Sequence, residues 1–377
     1  MTGGSARPAA RGRLMGAVSH RARLPGFAAR WIRCAVKTEP ISSTALRCPL
    51  IALSFALVVT SCSDPVLRAP VETAAQRARG AIEDVPNGWS PDGSQILLTR
   101  YFAADRSDLF LVEADGSALY RVTDRPGKDE NGSFTPDGLA VSFCSDRAGQ
   151  DDIYRLPLDG GEPENLTRHP ANECEYAWSP AGDRIVFYAD RDGDRNLFVV
   201  TADGSPAERW TTAPGWDHVT QGAWSPRDDL LVYSSSAGVP YVEGIPGEFD
   251  HFALYLLNPG GDIAPPLLLD LPGEDSYPSW SPDGGTVYFA HKAPHGVDDA
   301  DVGYDIYRVS ASGGKAEVFL GGPGNQYLPY WSPDGSRVAY FSEGRVWLAD
   351  HEGAGRRELT IPDDWSPMFP GPGNADG

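Results

Sequence analysis

Short runs in which apolar and polar residues alternate recur along the chain: Ile96/Leu98, Val141/Phe143, Ile185/Phe187, Leu231/Tyr233, Val287/Phe289 and Val338/Tyr340. A period of two marks a half-buried β-strand. Each run is followed by a second apolar pair: Leu109-Phe110, Ile153-Tyr154, Leu197-Phe198, Leu254-Tyr255, Ile306-Tyr307 and Val346-Trp347. A third, shorter series carries Val122-Thr123, Leu166-Thr167, Trp210-Thr211 and Leu359-Thr360, behind glycine turns such as Ala114-Asp115-Gly116. Strands, not helices, are the elements this pattern predicts.

What precedes each run is nearly constant. Trp89-Ser90-Pro91-Asp92-Gly93 returns as Phe134-Thr135-Pro136-Asp137-Gly138, Trp178-Ser179-Pro180-Ala181-Gly182, Trp224-Ser225-Pro226-Arg227-Asp228, Trp280-Ser281-Pro282-Asp283-Gly284 and Trp331-Ser332-Pro333-Asp334-Gly335. Trp365-Ser366-Pro367 is a partial seventh copy, and the intervals are 45, 44, 46, 56, 51 and 34 residues. Ser, Pro, Asp and Gly suit the four positions of a type I turn between antiparallel strands. Four short strands in about 45 residues is the content of a propeller blade. The chain therefore reads as all-β, a six-bladed β-propeller of four-stranded antiparallel blades over residues 86–367, with blades starting near 89, 134, 178, 224, 280 and 331. The strand at Trp365 is surplus and should help close the ring against the first blade. A seven-bladed ring is disfavoured, because it needs three more strands from residues 63–88, where Thr73–Arg79 reads as helical or disordered. Residues 368–377 read as a loose tail.

Composition agrees with turns: 42 Gly and 33 Pro among 377 residues exceed average usage and argue against a helix bundle. The formal charge of −20 is unevenly spread. Residues 1–62 hold nine Lys/Arg and the single acid Glu39, which leaves 23 basic and 51 acidic residues in 63–377. So acidic a body repels phosphate backbones and excludes nucleic-acid binding.

The basic segment reads as an address. The apolar run Leu50–Thr60 behind Arg47 is too short to span a bilayer and suits the hydrophobic region of a secretory signal. It ends in Val59-Thr60-Ser61-Cys62, which resembles a bacterial lipobox, with Cys62 as the acylated mature N-terminus. Residues 1–61 are thus expected to be leader and signal, with Met15 or Val36 as starts giving a more usual length, and residues 62–85 a flexible tether. Ser63 favours outer-membrane sorting, on the periplasmic face of the envelope. Of five cysteines, Cys34 and Cys48 belong to the leader; Cys144 and Cys174 lie in adjacent repeats. An exported compartment permits their pairing, and sequence leaves their redox state open.

The repeat, with its W-S-P-D-G turn, following strand, acidic-Arg-Gly loop, D-I-Y and L-T, resembles the TolB-type propeller repeat. The resemblance implies a propeller fold. It does not fix one function, because the repeat occurs in envelope binding proteins, in the propellers of prolyl-oligopeptidase-like enzymes and in oligogalacturonate lyases. The α/β domain that precedes the propeller in TolB is expected to be missing, since little chain separates Cys62 from Trp89.

No G-x-S-x-G elbow, G-x-x-x-x-G-K-[ST] loop or H-E-x-x-H occurs. A lyase-like metal centre would draw on His169, His218, His251, His291, His295 and His351 with Gln221 or Gln326, yet only His291 and His295 are close in sequence. Asp190-Arg191-Asp192-Gly193-Asp194 alternates carboxylates as a calcium loop does, but its glycine is misplaced for an EF-hand. No cofactor is implied; a divalent cation is the one candidate left open. Two loops break the repeat, at about Ser235–Phe252 and His291–Tyr304. They should share a face with the loops that enter each Trp strand, including Glu175, Glu274 and Asn325. Long irregular loops on a rigid repeat are where binding sits. The candidate partner-binding residues are Asp129, Glu130, Glu173, Asp217, His218, Tyr241, Phe249, His251, Asp275, His295, Tyr304 and Gln326. The expected function is a non-catalytic envelope lipoprotein, held to the membrane only through its lipid, whose propeller binds a basic envelope protein or a glycan. The alternative is a periplasmic carbohydrate-active propeller, lyase-like or glycan-binding.

Overall fold

The computed structural model describes residues 82–191, 193–236, 251–258, 266–293 and 303–367. Cys62, the leader, most of the tether, the tail 368–377, and Tyr241, Phe249 and His295 lie outside the described residues. Among the described residues there are strands and turns and no helix, arranged as six sheets. Blade one comprises Glu83–Trp89, Gln95–Ala103, Arg106–Glu113 and Leu119–Arg121, each antiparallel to the next. The other five blades repeat this order; the motif aromatic ends the inner strand in five blades, and in blade four Trp224 lies beyond the short Asp217–His218 strand and bridges to Leu231. Ser366–Pro367 adds a fifth, parallel strand to the outer edge of blade one, beside Tyr120 and Arg121. Trp365 packs edge-on against Phe110 at 5.5 Å. The surplus strand thus joins the two ends of the ring.

The turn chemistry is as the residues dictate. Ser90 O accepts from Gly93 N (2.8 Å), while Ser90 Oγ accepts from Gln95 N (2.9 Å) and donates to Asp92 Oδ1 (2.6 Å). Gly93 holds φ 72°, a left-handed conformation other residues resist. The Ser90 and Ser94 bonds push the Asp92 carboxyl down to about 2. A Cβ on Gly93 would meet Pro333 of the preceding blade at 3.6 Å, so turn stacks on turn around the ring.

The strands are buried on both faces, not one. Ile96, Leu97 and Leu98 are all fully buried: Ile96 and Leu98 pack with Ala339 and Val346 of blade six, Leu97 with Val141 and Phe143 of blade two. Alternation here separates two apolar neighbours rather than core from solvent. Motif tryptophans seal these seams. Trp89 Nε1 donates to Tyr330 O of blade six (3.0 Å), Trp224 to Ala177 O (3.3 Å) and Trp280 to Ala223 O (2.9 Å). A disulfide, Cys144–Cys174, ties blade two to blade three.

Candidate functional site

The face entered by the inner strands was expected to present acids to a partner. The structure buries most of them. Asp84, Asp129, Glu173, Asp217, Asp275 and Gln326 each sit opposite the end of strand two in their own blade. All are at most 5% exposed. Arg100 grips Asp84 through two bonds of 2.6 and 2.9 Å. Asp129 accepts from Ser145 Oγ (2.7 Å) and Arg147 Nη2 (3.0 Å), and Glu173 from Arg191 Nε (2.7 Å). Asp275 meets His291 Nδ1 at 2.7 Å, and Gln326 donates to Pro323 O at 2.9 Å. The repeated acidic-Arg-Gly loops therefore supply arginines that neutralise a buried acid. Arg191 of the calcium-like loop does this while Asp190 accepts from Asn172 N (3.1 Å).

The candidate set divides accordingly. Asp129, Glu173, Asp217, Asp275, Tyr304 and Gln326 are buried and engaged in internal bonds, and His218 is buried with no hydrogen bond on either ring nitrogen. Glu130 is half-buried and His251 is exposed, with Nε2 3.1 Å from Asp270 Oδ1. Tyr304 donates to Glu274 Oε2 (2.6 Å). Among the described residues no three His, Cys, Asp or Glu side chains are grouped as a metal site.

Asp217 is held by hydroxyls, with Arg209 a nearby charge. Its carboxylate accepts from Ser235 Oγ (2.5 Å) and from the Thr211 hydroxyl, yet burial outweighs both and pushes its pKa up to about 6. Between the ordinary value of 3.8 and about 6 the folded chain binds more protons here than the unfolded one. Stability therefore falls as pH rises through that window, by about 3 kcal/mol for two pKa units. Asp217→Asn is expected to remove this slope: equal melting temperatures near pH 4, and a more stable variant above pH 6, read by calorimetry across pH 4–7.

The axial channel is lined by a position the sequence pattern did not flag. Three residues before the motif aromatic, Asn131, Glu175, Tyr277 and Leu328 have φ of 54°, 42°, 52° and 55°. At each the pairing with strand two slips, so the residue bulges out of register. In blade one the slip falls at Asn87. A left-handed non-glycine residue costs of order 1–3 kcal/mol, and such strain concentrates at functional sites. The identity of this residue changes from blade to blade while the turn beyond it stays constant. Asn-Gly at 87–88 and 131–132 is the only sequence hint, as a dipeptide of irregular backbone.

Gln221, at the same position in blade four, bridges the channel. Its Nε2 donates to Asn131 O (3.2 Å) and Gly132 O (3.1 Å) of blade two, and its Oε1 accepts from Tyr330 of blade six (2.7 Å). On the turn side lies a cavity of about 410 Å³ walled by Pro91, Pro136, Pro226, Pro282 and Pro333. On the loop side lies one of about 40 Å³ that includes Glu175, Tyr101, Tyr176 and Tyr277. Burial, then the nearby Glu130 charge, raises the Glu175 pKa well above the usual carboxyl range. His218 Nδ1 stands 3.5 Å from Glu175 Oε2; burial holds this imidazole well below its ordinary pKa.

Comparison with known proteins agrees with this architecture. Residues 71–167 match the family model of the TolB beta propeller domain. A TolB of Agrobacterium tumefaciens is 21% identical over 64% of this chain and 83% of its own, with a TM-score of 0.52. TolB of Acinetobacter baumannii is 17% identical over 76% of this chain, with a TM-score of 0.56; the match spans 64% of that protein. The tricorn protease gives 18%, 76% and 0.56, over 27% of its length. No curated protein matches in sequence. What these likenesses establish is the fold.

Proposed function

We propose that this TolB-type propeller is a non-catalytic lipoprotein of the bacterial cell envelope, exported, anchored through Cys62 and binding a protein partner on its loop face. The observation that carries this reading is the contrast between frame and lining. The repeat spends its constant residues on turns, seams and buried acid clamps, which leave a rigid wheel. The positions that vary between blades, Asn131, Glu175, Gln221, Tyr277 and Leu328, face the channel. A constant scaffold with a variable, asymmetric lining suits recognition of one specific partner. An acidic body favours a partner with basic residues. The disulfide suits an oxidising compartment.

The test is capture from crosslinked envelope extract of the native host. Wild-type protein should retain a discrete partner, and a variant lacking residues 238–248 in the blade-four loop should lose it. An unchanged set of captured proteins would sink the loop-face assignment.

A further inference from the structure

We propose that the small cavity at the channel's waist receives a single alkylammonium group, the head of a lysine side chain inserted by the partner from the loop face. The inference rests on the partner-binding reading and adds the chemistry of the contact.

Four observations carry it. First, the cavity is about 40 Å³, and a water molecule's share of liquid is roughly 30 Å³. An ammonium fits; a planar guanidinium with five donors does not. Second, among the described residues that wall it, Glu175 contributes the one carboxyl and none carries a cationic side chain. Third, His218 is 4% exposed, has no hydrogen bond on either ring nitrogen, and stands behind the cavity wall with Nδ1 3.5 Å from Glu175 Oε2. Kept neutral by burial, this imidazole adds no rival positive charge beside Glu175, and an ammonium brings three donors to the carboxyl. Fourth, Tyr101, Tyr176, Tyr277 and Tyr330 complete the wall, and aromatic rings favour cations over anions or neutral polar groups. Gln221 floors the cavity with both ends of its amide engaged. A chain arriving from the loop side therefore ends at Glu175.

The surrounding charges are compatible. Glu130 adds a second acid near Glu175, and Arg195 stands behind His218, where its charge helps keep the imidazole neutral.

The probe is n-butylammonium chloride, which reproduces the lysine side chain, titrated calorimetrically into the mature protein against sodium chloride of equal ionic strength. Saturable one-to-one binding is expected, weakened at least tenfold in Glu175→Gln, with n-butanol not binding. Gln preserves the shape of a neutral acid, and an unchanged melting temperature of the variant would confirm that the fold is intact. Equal binding by wild type and Glu175→Gln, binding of butanol as tight as the amine, or calcium binding in place of the amine would each overturn the proposal. Because the probe is a small molecule, its failure leaves the partner-capture result standing, and loss of the partner on loop deletion does not depend on it.

Discussion

Arg100→Ala should be the most damaging single substitution in the frame, lowering stability by about 3–5 kcal/mol. Arg100 and Asp84 are 4% and 2% exposed and share two bonds on the inner edge of blade one. The guanidinium also lies 5.0 Å over the Phe110 ring, which in turn holds Trp365. Removing it leaves a carboxylate that is 2% exposed without its cation, and uncompensated burial of a charge dominates the loss. For a domain of this size about 2 °C per kcal/mol is expected, so the melting temperature should drop by roughly 6–10 °C. The sign of a second measurement separates this cause from lost packing. Replacing both partners, Asp84→Leu with Arg100→Met, removes the orphaned charge and should recover most of the stability, because a buried pair is often no better than an apolar one. Calorimetry of the two variants decides: a double variant as unstable as Arg100→Ala would mean that packing around Phe110, and not the charge, was lost.

The same pair shows where sequence reading stops. Blade count, turn geometry and the closing role of the Trp365 strand were legible because each follows from local residue chemistry repeated at a near-constant interval. Half-burial was read from the Ile96/Leu98 alternation, yet Leu97 between them is equally buried. Period two reports that successive side chains face opposite ways; it cannot report that a second blade covers the other side. The burial of the acids was illegible for a related reason. Asp129, Glu173 and Asp275 look like a charged rim in a string of letters, because their partners Arg147, Arg191 and His291 are 16 to 18 residues away on the next strand or its loop. The channel lining was hidden further still. Glu175 and Tyr277 reach the axis through bulges, and a one-residue slip of register leaves no periodic trace. Gln221 was visible as a residue, but its bridging of blades two and six depends on chain positions 89 to 109 residues apart.

Cutting the Cys144–Cys174 bond should cost about 3–4 kcal/mol. The two residues are separated by 30 in sequence, and closing a loop of that length removes entropy of this order from the unfolded chain. The bond joins strand two of blade two to the inner strand of blade three, so its effect is concentrated on one seam. Ile153, Tyr176 and Phe187 pack around the sulfurs, and Asn131 Nδ2 donates to Cys174 Sγ at 3.3 Å. In urea, Cys144→Ala/Cys174→Ala should unfold at a lower midpoint than the oxidised wild type. Its m-value should be slightly larger, because an uncrosslinked unfolded chain exposes more surface. Treatment of the wild type with reductant should move its midpoint toward the variant's. Identical midpoints with and without reductant would show that interblade packing alone holds the seam. The consequence reaches the channel, since Cys174 immediately precedes Glu175. A residue at φ 42° stays there only while its neighbours are fixed, and the disulfide anchors the backbone on one side of it as Tyr176 (whose hydroxyl donates to Ser142 Oγ at 2.8 Å) does on the other. Loss of the bond should therefore relax the Glu175 bulge, and the uncrosslinked variant should bind butylammonium less tightly than wild type even below its unfolding transition.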